Sequence, residues 1–248
     1  MTPNVGNLPE YDVAELCVQK SVHLKALGIY LQQSTDFAEI EAFADQIEKP
    51  SITPFLSPTG NDFFSTNCFW VLARTSRENG NEPLGMIGIR KDNTGVESVA
   101  EFSERKLRTL FPTEREIPIR PDRLPSFAHD IKGEVVYMGD LHFAAKRNSK
   151  LATRDNVRLF ITVVYCLIQL KWPSLNWIYA FIREEDARKS ALWIYRARNS
   201  GAFAHSWTQS PSVIDHPHWL LASNKSDLEE LLTGEILGLK RDGVIQYP

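Results

Sequence analysis

Gly133-Glu-Val-Val-Tyr-Met-Gly-Asp-Leu-His-Phe143 is rich in strand-forming residues and is followed by the basic run Lys146-Arg147-Asn148-Ser149-Lys150. An apolar run, Leu159–Leu170, then predicts a buried helix that begins near Thr153, and Asn176–Ile182 has the composition of a second strand. The order strand, basic loop, helix, strand predicts an α/β (α+β) protein with one central mixed sheet.

The basic run lies directly before the N-terminus of the predicted helix. Free backbone N–H groups at a helix N-terminus attract anions, and lysine and arginine add charge-assisted hydrogen bonds. The pattern therefore indicates a phosphate-binding loop. The alternative is that Lys146, Arg147, Lys150 and Arg154 form an ordinary solvated helix entry.

Composition narrows the class of protein further. The chain has 248 residues, which favours one elaborated domain, and its formal net charge of −3 makes nucleic-acid binding an unfavoured function. The three cysteines form no Cys-x-x-Cys pair, as expected of free buried thiols in a reducing compartment. Leu159–Leu170 is too short to span a bilayer, and the N-terminus has no secretory pattern. We expect a cytoplasmic protein that does not bind membranes.

The rest of the chain alternates between predicted strands and helices. A hairpin is predicted from two apolar runs around the Asn79-Gly80 turn signal. The predicted elements are a loose arm (1–10), a short strand or helix (12–32), a helix capped by Thr35 (36–48), the hairpin strands (67–74 and 84–90), a helix (99–110), two strands (204–207 and 218–222) and a short helix capped by Ser226 (227–232).

From about Thr66 to Trp207, this order of elements resembles the GNAT superfamily of N-acyltransferases. The resemblance implies a single GNAT-like domain over residues 1–248, with a central mixed, mostly antiparallel twisted sheet flanked by helices. An N-terminal extension (about 1–60) and an insertion (about 92–132) fall outside it. The resemblance also implies acetyl-CoA or another acyl-CoA as co-substrate, no metal, and an amine of a small molecule or peptide as acceptor.

Members of the superfamily carry Arg/Gln-x-x-Gly-x-Gly/Ala between the fourth strand and the next helix, and Arg147–Ala152 is the nearest match, with Lys150 in place of the first glycine. In the family the pantetheine arm lies between the splayed fourth and fifth strands, which here implies the main chain of Leu141–Phe143 and of Ala180–Ile182. The cofactor-binding residues implied in this way are Leu141, Phe143, Lys146, Arg147, Asn148, Ser149, Lys150, Ala152 and Thr153.

Acyl transfer to an amine needs a base for the ammonium proton and often an acid for the thiolate. The resemblance implies Tyr195 as the acid, because it lies on the helix before Gly201-Ala-Phe203; the alternative is a structural tyrosine. Asp140 and His142 are spaced to share one face of a strand, so that the carboxylate could orient the imidazole as base. His216-Pro217-His218 lacks the further ligands that would indicate a metal site.

Two other functions remain open. Lys150 at the glycine position and Ala202 between Gly201 and Phe203 also suit a GNAT-shaped binding module without transfer chemistry. The third possibility is a relative whose acyl or aminoacyl group comes from a carrier protein or a charged tRNA. The oligomeric state cannot be read from the sequence.

Overall fold

The structure, a computed structural model, describes residues 8–58, 61–76, 78, 80–110, 121–144, 153–203 and 218–241. Its elements in chain order are α1 (Glu10–Ala26), β1 (Tyr30–Ser34), α2 (Phe37–Gln46), β2 (Cys68–Arg74), β3 (Pro83–Asn93), α3 (Val99–Leu110), the 3₁₀ turns Pro121–Arg123 and Ser126–His129, β4 (Glu134–Phe143), α4 (Arg154–Lys171), β5 (Trp177–Arg183), α5 (Glu184–Asp186), a π-helical turn (Ala187–Ala191), α6 (Leu192–Tyr195), β6 (Asn199–Phe203), β7 (His218–Asn224) and α7 (Lys225–Arg241).

The seven strands form one sheet in the order β1-β2-β3-β4-β5-β7-β6. Every neighbouring pair is antiparallel except β4 and β5, which are parallel and are joined through α4. A parallel pair needs such a crossover connection, whereas antiparallel strands can be joined by short turns. The predicted fold class, a mixed and mostly antiparallel sheet flanked by helices, is confirmed.

Alternation along the strands gives the sheet two buried faces. The first face packs against α1, α4 and α7, and it includes Val136 on β4 and Ile178 on β5. The second face packs against α2, α3 and the turn Ser126–His129, and it includes Tyr137 and Tyr179 from the same strands. Because both faces are covered, β2 reads as a continuous apolar run rather than an alternating one.

The N-terminal helix α1 is longer than the short strand or helix predicted for residues 12–32, and β1 follows it. Its buried side includes Val13, Leu16 and Leu24, but Val18 and Val22 are 59% and 56% exposed. Apolar residues on both sides weaken the helical period in the sequence. The first seven residues of the predicted loose arm lie outside the described residues.

Two predicted helix caps were wrong by one or two residues. Asp36, not Thr35, caps α2, because its carboxylate accepts a hydrogen bond from the Ala38 N–H at 2.9 Å. The last helix, α7, runs to Arg241 and begins at a reciprocal pair: the Asn224 N–H donates to Asp227 at 3.0 Å, and the Asp227 N–H donates to Asn224 at 2.9 Å. The predicted strand 204–207 lies outside the described residues, and β6 precedes it.

Helix α7 is tied to the first-face helices by the carboxylate of Glu235. Lys20 of α1 and Arg196, the residue after α6, each approach it at 2.6 Å, and Arg158 of α4 approaches it at 3.3 Å. Burial alone would raise the pKa of Glu235, but the hydrogen bonds from Lys20 and Arg196 outweigh burial and lower the pKa to about 2. This cluster fixes the end of α6, where Tyr195 lies.

We expect Glu235→Gln to weaken folding at neutral pH and to flatten its acid dependence. A carboxyl whose pKa is lower in the folded state stabilises the fold above its unfolded pKa of about 4.3, and that contribution disappears as the pH falls toward 2. The expected loss at pH 7 is on the order of 2–3 kcal/mol by denaturant unfolding. Glu230→Gln, on the exposed side of the same helix, is the control. If the free energy of unfolding depended on pH in the same way in the wild type and in Glu235→Gln, the stabilising role of the Glu235 carboxylate would be contradicted.

Candidate active site

The parallel strands β4 and β5 separate part of the way along their length. They pair at Val135–Tyr137 with Trp177–Tyr179, after which no further pairing between them is present. Beyond that point β4 remains bonded to β3 as far as Phe143, and β5 remains bonded to β7 as far as Arg183. The result is a notch between the main chains of 138–143 and 180–183. The main-chain N–H and C=O groups that face the notch have no strand partner among the described residues.

A β-bulge shapes the β4 wall of the notch. Gly88 of β3 pairs with Gly139 and Met86 pairs with His142, so that Asp140 and Leu141 together oppose Ile87. Asp140 has a φ of 58°, which places it in the left-handed region. The bulge shifts the alternation of side chains relative to the first part of β4. Asp140 and His142 nevertheless lie on the same side of the strand, as their spacing predicted, while Leu141 and Phe143 face the first-face core.

The carboxylate of Asp140 is buried and engaged on the N-terminal side of the chain. Lys49 approaches Oδ1 at 2.7 Å, while the N–H and hydroxyl of Thr53 donate to Oδ2 at 3.0 and 3.2 Å. Burial raises the pKa of Asp140, and Lys49 and Thr53 act in the opposite direction. Its direct partners are therefore Lys49 and Thr53 rather than the imidazole that the sequence suggested.

His142 lies two residues after the bulge and is half-buried. Burial and the nearby charge of Lys49 lower its pKa, whereas a hydrogen bond to the main chain of Ile47 and the charge of Asp140 act in the opposite direction. A lowered pKa favours the neutral imidazole at physiological pH. A neutral imidazole has one ring nitrogen that can accept a proton.

The side chains of Leu141 and Phe143 face away from these groups and pack on the first-face core. The ring of Phe143 contacts Phe160 of α4 with centroids 5.9 Å apart. Gly85 of β3 lies beneath the ring, since a Cβ there would come within 2.3 Å of Phe143 Cδ1. This packing fixes the end of β4 against α4 and leaves only its main chain for a ligand in the notch.

Tyr195 ends α6 and is 4% exposed in the first-face core. Its carbonyl accepts a hydrogen bond from the Tyr165 hydroxyl at 2.6 Å, and Arg196, the next residue, adopts a left-handed φ of 50°. Burial raises the pKa of the Tyr195 hydroxyl. The phenol is therefore protonated throughout the physiological range, as a proton donor requires.

Helix α4 begins at the residue predicted from the sequence. Thr153 caps it, and its hydroxyl accepts a hydrogen bond from the Asn156 N–H at 3.3 Å. Lys146, Arg147, Asn148, Ser149, Lys150 and Ala152 lie outside the described residues. All the predicted cofactor contacts, that of Thr153 included, stay predictions, as do the catalytic roles of Tyr195, His142 and Asp140.

Several residues around the notch were missed by sequence reasoning. The segment 47–55, assigned to an N-terminal extension, supplies Lys49, Thr53 and Phe55 to the second-face side. Phe55 contacts Tyr137 with centroids 5.3 Å apart, and Phe181 of β5 contacts Phe203 with centroids 5.7 Å apart. No local pattern marks these residues, because they meet only when β4 and the N-terminal segment pack together.

Within the described part of the chain, no three His, Cys, Asp or Glu side chains are grouped so as to hold a metal ion. No described helix combines the length and apolar character needed to cross a membrane. His216 and Pro217 lie outside the described residues, and His218 is the first residue of β7.

No protein-family model matches the sequence, and no curated protein matches it. Among solved structures, FeeM, an N-acyl amino acid synthase from uncultured soil microbes, is similar at 8% identity and a TM-score of 0.47, over 81% of this chain and 92% of that chain. The NAA60 protein of Arabidopsis thaliana, solved with acetyl-CoA, is 12% identical with a TM-score of 0.43, over 79% and 98% of the two chains. An aminoglycoside N(6')acetyltransferase of Legionella pneumophila subsp. pneumophila is 13% identical with a TM-score of 0.41, over 82% and 96%.

The assignment of the fold rests on the topology of the sheet rather than on these similarities. Antiparallel strands lead to β4, a crossover helix returns the chain to a parallel β5, and the two strands then separate at a bulge. This mixed sheet with separated fourth and fifth strands is the architecture that the resemblance to the GNAT superfamily implied.

Proposed function

We propose that the protein is an acyl-CoA-dependent N-acyltransferase that acylates an amine of a small molecule or peptide, with acetyl-CoA or another acyl-CoA as donor. The observation that carries the proposal is the notch between β4 and β5 at the carboxyl ends of two parallel strands. In an α/β sheet, ligands bind at such an end, where the strands diverge.

The notch suits a thioester donor with an amide-containing arm. Unpaired main-chain N–H and C=O groups on both walls can form hydrogen bonds to pantetheine amides in the manner of an added strand. The N-terminus of α4 follows β4 in the chain, and its free N–H groups together with the basic run 146–150 favour the pyrophosphate. The donor would then extend from the loop before α4 into the notch.

In this proposal His142 is the base. The amine must lose a proton before or as its nitrogen attacks the thioester carbonyl, and a neutral imidazole is a suitable acceptor at neutral pH. Burial and Lys49 keep His142 in that neutral form. The new C–N bond forms as the C–S bond breaks, and the electron pair leaves with the sulfur as a thiolate.

Tyr195 is the proposed acid that protonates the departing thiolate. Its raised pKa keeps the proton in place until the thiolate develops. The Glu235 cluster and the Tyr165 hydroxyl hold the end of α6 on both sides of this residue. Asp140 contributes through its contacts to Lys49 and Thr53 rather than by proton transfer.

A second candidate is a binding module that retains the fold without the chemistry. Lys150 at the loop position where the family pattern has glycine favours it, because a Cβ hinders close approach of the main chain to a pyrophosphate. Such a protein, or one that uses a carrier-linked donor, would fail to bind free CoA or would bind it without turnover.

Replacing both Arg147 and Lys150 with alanine tests the phosphate-binding loop. Each lost charge-assisted hydrogen bond is worth roughly 1.5–3 kcal/mol, so CoA affinity should fall at least about tenfold by calorimetry. The double variant Arg105→Ala/Arg108→Ala on α3 is a control of equal charge change, because both side chains are exposed and their ion pairs with Glu97 and Glu104 lie on the surface of the helix. Equal CoA affinities for the wild type and the loop variant would show that the basic run is an ordinary solvated helix entry and does not bind phosphate.

The acid and base are tested by Tyr195→Phe and His142→Gln. Each variant removes one proton-transfer group while retaining most of the side-chain volume, so we expect turnover to fall by about 10²–10⁴ with little change in CoA affinity. Mass spectrometry of a panel of amines with acetyl-CoA gives the rates, and calorimetry gives the affinities. Full activity with a lowered melting temperature in Tyr195→Phe would make the hydroxyl a structural group.

A further inference from the structure

The ion pair between Lys49 and Asp140 is the most deeply buried one described in the chain. Its N–O distance is 2.7 Å, and the two side chains are 8% and 1% exposed. Lys49 follows α2, within the extension to which the sequence assigned no role, and Asp140 is the bulge residue of β4. Two charges are therefore withdrawn from water beside the notch.

Burial of such a pair is a poor way to gain stability. Removing two charges from water costs several kcal/mol per ion, and their attraction repays this only when their remaining hydrogen bonds are satisfied. In this pair the remaining hydrogen bonds are satisfied: the N–H and hydroxyl of Thr53 donate to Asp140, and Lys49 also donates to the Ser51 carbonyl. The same contacts fasten residues 49–53 to the bulge.

Asp140 itself adopts a left-handed backbone conformation, with a φ of 58°. A non-glycine residue persists in this region only where its surroundings hold it there. Aspartate tolerates the conformation better than most residues, but a free strand would not adopt it unaided. The contacts to Lys49 and Thr53 are the visible restraint.

We propose that Lys49 and Asp140 are a positioning pair, which holds the bulge of β4 in place and thereby sets the notch and the orientation of the His142 ring against Ile47. The inference rests on the proposed function for its catalytic consequence. Its structural part, the dependence of His142 on the pair, stands apart from any activity. Lys49 is thus a site residue by position rather than by contact with substrate.

The charges that face His142 predict opposite effects for the two partners. Lys49 and Arg183 lower the pKa of His142, and Asp140 raises it, together with the hydrogen bond to Ile47. Lys49→Met removes the nearer cation, so the His142 pKa should rise. Asp140→Asn removes the anion and retains Lys49, so the pKa should fall. Loss of packing alone would not move the pKa in opposite directions.

The experiment measures the His142 pKa by NMR titration of the imidazole, and kcat and KM with acetyl-CoA, in Lys49→Met, Asp140→Asn and the control Lys91→Met. The control makes the same substitution in another partly buried ion pair, that of Lys91 with Glu134, at the end of β4 opposite the bulge. Asparagine tolerates the left-handed conformation and can still accept hydrogen bonds from Thr53, so this variant should fold even if Lys49→Met does not.

We expect a rise of the His142 pKa in Lys49→Met, a fall in Asp140→Asn and no change in Lys91→Met. At temperatures where each variant is folded, kcat should fall by about 10- to 100-fold in the first two variants, since small misplacements of a catalytic group have effects of this size. CoA affinity should change less. Unchanged kcat in both variants, or His142 shifts of the same sign, would overturn the inference.

Failure of the proposed function gives a different result. A wild-type protein that neither binds CoA nor acylates any amine refutes the transferase proposal, but the opposite pKa shifts would still establish that the pair controls His142. The converse result is that the wild type is active but the His142 pKa is the same in the wild type and in both variants. That result supports the transferase proposal and refutes the positioning pair.

Discussion

Hydrogen bonding between the two parallel strands, and the point at which it stops, is the constraint on which the site depends. Buried main-chain groups need partners, so strands within a sheet ordinarily stay paired along their whole length. Here β4 and β5 pair over three residues and then separate, each retained by its outer neighbour. The separation creates main-chain groups that a ligand can satisfy, without any reactive side chain being required to form the opening.

Packing on the two faces maintains the separation. On the first face, Phe143 rests on Phe160 of α4 and leaves room only because Gly85 has no side chain. On the second face, Tyr137 and Phe181 meet Phe55 from the N-terminal segment, with centroids 5.3 and 5.9 Å from the Phe55 ring. Rings of this kind bury large apolar areas and resist displacement, so the ends of both strands are fixed from either side.

The N-terminal segment closes the site from the second face. A bulge redirects one residue out of the strand pattern, and in this chain that residue carries a carboxylate that reaches Lys49 and Thr53. Burial raises the pKa of the Tyr137 hydroxyl, and the side chain of Thr53 acts in the opposite direction, so the influence of this segment extends from the bulge to the last paired row of the sheet. The segment is therefore part of the site and not an appendage to it.

The sequence by itself determined the order of elements around the site, since strand composition and helical periodicity are local properties of Glu134–Phe143, Arg154–Lys171 and Trp177–Arg183. It also marked His142 as a candidate base from residue type and place, and the resemblance implied Tyr195 as the acid. Only the tertiary structure decided that Asp140 contacts Lys49, because the bulge that places its carboxylate on that side of β4 depends on the register with β3. The contributions of Lys49, Thr53 and Phe55 were likewise invisible, because residues separated by more than 80 positions along the chain leave no periodic signal of their contact.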